Sequence, residues 1–148
     1  ADDIEKAASK IPSDAFSILL AHTPEVYDRA MSARFDFMLC GHTHGGQLCL
    51  PGGIPIKLEA AVPRFMGAGP WRHGAMVGYT SVGAGTSLLP VRLNCPPEIT
   101  LHTLRDGQQL YLTSKSVAEK QNAVSKYPVA ISKECPLRAR SGHRSGAE

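Results

Sequence analysis

Two short, mainly apolar runs, "FSILLA" (16–21) and "RFDFMLC" (34–40), restrict this chain more than any other feature, because a helix signal lies between them. Neither run keeps a helical period, and both are too brief for a helix, so they read as strands covered on both faces. In the gap, Thr23 is placed to be an N-cap and Pro24 to take the first helical position. Val26, Tyr27, Ala30 and Met31 then form an inward stripe. Strand, helix, strand within residues 16–40 predicts a parallel pair joined by a right-handed crossover.

Upstream, "DDIEKAASKI" sets Ile4, Ala7, Ala8 and Ile11 at helical spacing, with Asp2 and Glu5 as a capping box and Pro12 as the stop. Downstream of Gly45-Gly46 the texture changes to short strand-like pieces cut by Pro and Gly. These are "QLCL", "IPIKL", "AMVGYTSV", "PVRL" and "EITLHTL", and they predict mostly antiparallel pairing. "LRDGQQLYL" reads as a hairpin turning at Asp106-Gly107. The expected organisation is one domain over 1–113, followed by a basic, weakly ordered tail over 114–148.

Charge supports that boundary. Residues 1–113 carry nine Lys and Arg against ten Asp and Glu, whereas 114–148 carry seven against three. The net +3 therefore belongs to the tail, where no aromatics are interleaved with the arginines to stack bases, so no nucleic-acid partner is expected. No run approaches the roughly 18–20 apolar residues of a membrane span. The sequence opens on "ADDIEKAASK" without Met, which suggests that it begins partway through a longer chain. Localisation stays open between the cytoplasm and a membrane reached through a preceding segment. Cys40, Cys49, Cys95 and Cys135 form no CxxC pair and read as reduced thiols, with a Cys40–Cys49 bridge across a hairpin as the alternative.

The chemistry concentrates at strand ends. His22 follows the first apolar run in "LLAHTP"; His42 and His44 follow the second in "MLCGHTHGGQLCLPGG". In open α/β sheets, ligands bind in the crevice beyond the C-terminal ends of strands. Gly41, Gly45 and Gly46 free the backbone there to adopt positive φ and bring imidazoles close to an ion. Imidazole is the commonest protein metal ligand, so His22, His42 and His44 are the candidate metal ligands. A competing arrangement is a structural zinc module, with Cys40, His42, His44 and Cys49 closing a tetrahedral site. His102 reads as a sheet-face residue, His143 as part of the tail and His73 as a member of the Gly-rich loop "GPWRHG".

"ILLAHTP", followed by "FDFMLCGHTHGGQLCLP" and "YTSVGAGTSLLPVRLNCPPEITLHTL", resembles the C-terminal half of the calcineurin-like metallophosphoesterases, most closely the bacterial subgroup with a GHTHGGQ motif. The resemblance covers about residues 1–104. It implies an α/β fold, half of an αββα sandwich, and a phosphodiesterase- or phosphatase-type hydrolase that uses two divalent ions (Mn, Fe or Zn). By motif, His22 and His42 resemble ligands of the second metal and His44 a ligand of the first. Gly83 and Gly85 are weaker candidates for the approach of a phosphoester substrate. The family's DxH, GDxxD and GNH[DE] motifs do not occur in this sequence, and Asp36 and Glu98 are poor substitutes for their carboxylates. Three imidazoles suit one ion with an open position rather than a bridged pair. Little activity is therefore expected of the isolated chain. The expected partners are its own missing N-terminal half or a second copy covering the apolar sheet face that a half-sandwich leaves open. A non-catalytic interaction or dimerisation module is the alternative.

Overall fold

A computed structural model describes residues 3–104, 111–112 and 115–116. In chain order its elements begin with α1 (Ile4–Ala8), β1 (Ile18–Leu20), a single 3-10 turn at Pro24–Val26, α2 (Tyr27–Ser32) and β2 (Phe37–Cys40). A second 3-10 turn at His44–Gly46 leads into β3 (Cys49–Leu50) and β4 (Ile54–Pro55). Then come β5 (Gly69–His73), β6 (Met76–Thr80), β7 (Glu98–Ile99), β8 (His102–Thr103), β9 (Tyr111–Leu112) and β10 (Lys115–Ser116). The chain is mixed α/β, with few helices.

The principal sheet has the order β1-β2-β6-β5. β1 and β2 run parallel, with Ile18 opposite Phe37 and Leu20 opposite Leu39, as the apolar runs predict. β6 is also parallel to β2, and only β5 is antiparallel. The second half is mostly antiparallel, as expected, and β6 adds a parallel pairing to β2. Its five residues are all buried, and a strand buried on both faces suits the middle of a sheet better than a surface meander. The "GPWRH" stretch, read as loop, is β5 itself. It pairs along its whole length with β6, and Gly78 accommodates Trp71, whose ring would lie 2.2 Å from a Cβ at that position. The remaining strands form two-residue pairs: β3 with β4, β8 with β9 and β7 with β10. All three pairs are antiparallel.

Side-chain alternation along β2 divides the core. Met38 and Cys40 face a cluster with Ile4, Ala30, Phe35, Met66, Trp71 and Met76, under α1 and α2. Phe37 faces the other way, with Val77 and Tyr79. β1 departs from expectation: Leu20 is 75% exposed and Ile18 37%, so this strand is not covered on both faces. Only Leu19, which points to the helix side, packs against the core. The reason is position. β1 is the edge strand, and among the described residues nothing covers its outer face.

The caps differ in detail. α1 is capped by Asp3, which accepts from Lys6 N at 2.9 Å, and the helix ends at Ala8, short of Pro12. Thr23 caps as predicted, accepting from Glu25 N at 3.4 Å, and Pro24 takes the first position of the turn. The Asp106-Gly107 turn lies outside the described residues, although its flanks β8 and β9 pair antiparallel. Of 114–148, only Lys115–Ser116 is described, paired with Glu98–Ile99; Cys135 and His143 lie outside.

Candidate metal centre

The parallel register of β1 and β2 brings His22 and His42 together. Each strand ends just before its histidine, and Gly41 N donates to His22 O at 3.2 Å across the two exits. His22 Nε2 then lies 3.0 Å from His42 Nδ1, with ring centroids 4.8 Å apart and planes tilted by 56°. Two metal–nitrogen bonds of about 2.0–2.1 Å, opening at 90–109°, would put their nitrogens about 2.9–3.4 Å apart. The separation therefore matches one edge of a coordination sphere, with the two nitrogens at present sharing a proton in a hydrogen bond, and both histidines stand at an accessible rim.

His44 is held separately. Its Nδ1 lies 3.4 Å from Arg92 Nη2, and because a guanidinium only donates, Nδ1 must be the acceptor. In the neutral ring the proton is then on Nε2. Among the described residues, no three His, Cys, Asp or Glu side chains gather where they could hold one ion. Two of the three candidate histidines thus meet, and the third faces a cation.

The loop that carries them is built against ordinary backbone preference. His42, His44 and Gln47 all have positive φ (71°, 50° and 57°), as do Gly45 and Gly46. Gly41, expected to be one of the flexible positions, does not. Left-handed backbone at non-glycine residues costs about 1–2 kcal/mol each and persists only where surroundings over-determine it. Here they do. Thr43, fully buried, donates to Gly67 O at 2.6 Å and accepts from Gly45 N at 3.2 Å.

Two residues without a sequence-level role do the remaining tethering. Arg92 donates to the carbonyls of Val82 (2.6 Å), Gly83 (3.1 Å), Gly85 (2.5 Å) and Cys95 (3.3 Å), pinning the Gly-x-Gly loop beside His44. Gln47 Oε1 accepts from Ser87 N at 2.7 Å, and its Nε2 donates to Ser87 O and Leu89 O. The available signals were an arginine inside the apolar piece "PVRL" and a glutamine closing GHTHGGQ.

The other candidates have structural duties. Asp36 accepts from Ser17 N at 2.9 Å and Ser17 Oγ at 3.1 Å, fastening the start of β1 to β2. Glu98 accepts from Tyr79 OH at 2.6 Å and Thr100 Oγ1 at 2.5 Å. His73 meets Asp28 at 3.1 Å and Tyr27 edge-on, away from the histidine pair. His102 packs against Phe37 and Tyr79, and burial pulls its pKa below the usual imidazole range. Cys40, Cys49 and Cys95 are free thiols. Cys40 Sγ faces Thr80 Oγ1 at 3.2 Å and Cys49 Sγ faces Gly45 O at 3.3 Å, so the two meet different partners.

No protein-family model matches the chain, and no solved structure does. Among named proteins, it is 35% identical over 103 residues to the metallophosphoesterase YkuE of Bacillus subtilis, covering 70% of this chain and 36% of that protein. It is 41% identical over 88 residues to the phosphodiesterase YaeI of Escherichia coli, covering 57% of this chain and 30% of that protein. A transmembrane protein with a metallophosphoesterase domain from Bos taurus is 37% identical over 102 residues, 66% of this chain and 22% of that protein. These similarities, over 57–70% of the chain, are those of part of a calcineurin-like metallophosphoesterase, and the chain spans about a third of the length of these relatives or less. Among its described residues, no helix is long and apolar enough to cross a membrane.

Proposed function

We propose that this chain supplies the histidine side of a metal-dependent phosphoesterase centre of the phosphodiesterase or phosphatase type. His22 Nε2 and His42 Nδ1 hold one divalent ion, and His44 is the ligand of a second. The observation that carries this reading is the 3.0 Å approach of those two ring nitrogens from separate strand ends. Bound there, Mn, Fe or Zn supplies Lewis-acid stabilisation of the phosphoryl oxygens and a more acidic water. The chain's own part is to orient the rings on a rigid sheet end and, through Arg92 and Gln47, to fix the neighbouring loops where substrate enters.

His44 takes part once its Nδ1 no longer accepts from Arg92 and Nε2 is free of its proton. Among the described residues no carboxylate joins the histidines in a group that could hold an ion; Asp36 and Glu98 are occupied internally, and Glu59, at the neighbouring cleft, pairs with Lys57. The reading therefore assigns the bridging aspartate to a further segment that completes the αββα sandwich over the open face of β1, since a second copy of this chain brings only the same carboxylates. It places the catalytic domain part in 1–113 and leaves 114–148 as an appended basic tail.

The test is a zinc titration of the whole chain by calorimetry, with bis-p-nitrophenyl phosphate hydrolysis under Mn²⁺ as a second readout. One ion per chain is expected, weakened at least tenfold by His22→Ala and by His42→Ala, with negligible hydrolysis. Unchanged zinc affinity in both variants would refute the site. Robust hydrolysis abolished by His42→Ala would refute the assignment of the bridging group elsewhere. A structural zinc module predicts instead that Cys40→Ser and Cys49→Ser lose the metal. A non-catalytic module predicts a stable dimer by light scattering with no metal at all.

A further inference from the structure

Beside His42 and His44 opens a cleft of about 270 Å³, and its far side is apolar. Leu48, Ile56, Leu88 and Leu89 line it, with the ion pair Lys57–Glu59 (2.7 Å) at the margin. Ile56 is 59% exposed, Leu89 55% and Leu88 95%. Exposed leucines are common singly, but three bulky apolar side chains around one cleft are not a scattered background.

Leu88 is the informative one. Its φ is +58°, a conformation that glycine or asparagine adopts far more readily, and its side chain gains almost no burial within the chain. Both backbone preference and solvation argue against leucine at this position. Nor is the loop carrying it slack. Gln47 grips Ser87 and Leu89 on either side by three hydrogen bonds, and Arg92 fastens the same loop at Gly83 and Gly85. The motif residue next to the histidine turn thus holds two leucines against the mouth of the metal site.

We infer that the substrate of this site is an amphiphilic phosphoester, whose phosphoryl group sits at His42 and His44 and whose alkyl or acyl chain lies along Leu48, Ile56, Leu88 and Leu89. This rests on the phosphoesterase reading above and deepens it. A cleft of this volume is at the small end of ligand cavities, so it takes the phosphoryl end and the first methylenes, while the exposed leucine rim carries the next few. Continuity with the histidines favours a substrate chain over a protein partner, because the apolar wall begins where the imidazoles end. A hydrophilic phosphoester would leave that wall in water and gain nothing from it.

The experiment is calorimetric titration of the zinc-loaded full chain with methyl-, hexyl- and decylphosphonate, all kept monomeric. Burial of methylenes strengthens binding by roughly two- to fourfold each, so hexylphosphonate is expected to bind at least about 30-fold tighter than methylphosphonate. Leu88→Asp and Ile56→Asp should flatten that chain-length dependence, whereas Leu101→Asp, at a comparably exposed leucine outside the cleft, should keep it. Equal affinity for all three phosphonates overturns the inference and leaves the phosphoesterase reading standing. Failure of every phosphonate to bind overturns both. Adsorption to phosphatidylcholine vesicles that decylphosphonate does not compete for would mean that the leucines meet a bilayer instead, and also overturns it.

Discussion

Gly45→Ala tests whether the histidine turn is as tightly built as its contacts imply. Gly45 has φ 63° and ψ 20°, and a Cβ there would lie 2.7 Å from Val82 Cγ1 and 2.9 Å from Cys95 Sγ. Alanine in this backbone region costs about 1–2 kcal/mol. Forcing an extra methyl into a packed site adds about 1–3 kcal/mol. Gly52→Ala is the control: φ is +87°, yet nothing lies within 4 Å of its Cβ position, so only the backbone part applies. Urea unfolding followed by circular dichroism should then place Gly45→Ala about 1–3 kcal/mol below Gly52→Ala, with the slope unchanged. Val82→Ala destabilises alone but should relieve part of the clash, giving a favourable coupling in the double variant. Equal losses for the two glycine variants, or no coupling to Val82, would refute the picture of a turn clamped against the loop behind it. Zinc affinity should fall with Gly45→Ala and not with Gly52→Ala.

Two further outcomes follow from the titrating groups. His102 has its pKa lowered by burial, so the unfolded chain binds its proton more readily. Its contribution to stability is complete above the ordinary imidazole pKa and is lost as pH falls from there toward the depressed folded value; melting temperature should drop between pH 7.5 and 5.5, less so in His102→Phe, and an identical drop in that variant would sink the assignment. Burial also raises the pKa of Cys40, chiefly by desolvation of the thiolate, and its thiol is turned toward Thr80. Iodoacetamide at pH 7.5 should therefore label native Cys40 at least about tenfold more slowly than the same cysteine in urea, read by peptide mass spectrometry.

How much of this was legible depended on whether a signal was local. The parallel β1–β2 pair and the Thr23-Pro24 turn were readable because a short apolar run and a cap residue act through neighbours in sequence. So was the meeting of His22 and His42, since both follow strands that read as neighbours or as separated by one strand, and β1 and β2 are in fact adjacent. β5 was missed because Gly69, Pro70 and Gly74 look like loop residues; Gly78 opposite Trp71 makes the strand, and that pairing is not visible in either segment alone. The exposure of Leu20 was missed for a related reason. An apolar run reports that a strand wants two covers, not whether both are present. Gln47 reaches carbonyls 40 and 42 residues away, and Arg92 reaches His44 O across 48 besides carbonyls 3 to 10 residues from itself; backbone carbonyls carry no residue-type signature.

Those long-range tethers also explain why the strained turn can exist. His42, His44 and Gln47 each hold left-handed backbone that their side chains disfavour, and no single contact among them repays that energy. Collectively the surroundings do: Thr43 locks the turn to Gly67, Cys95 Sγ donates to His44 O at 3.2 Å, and Arg92 links His44 O to the carbonyls of Val82 and Cys95. A loop fixed from so many directions keeps its imidazoles in place before any ion arrives, so less ordering entropy opposes binding. It also means that Arg92, by donating to His44 Nδ1, selects the tautomer whose Nε2 is protonated. On the proposed metal reading, coordination at His44 requires that hydrogen bond to be given up, whereas at His22 and His42 the shared proton need only pass to an outer ring nitrogen by a change of tautomer. The first ion should therefore enter at the His22–His42 pair, with His44 following when a second set of ligands arrives to displace the guanidinium.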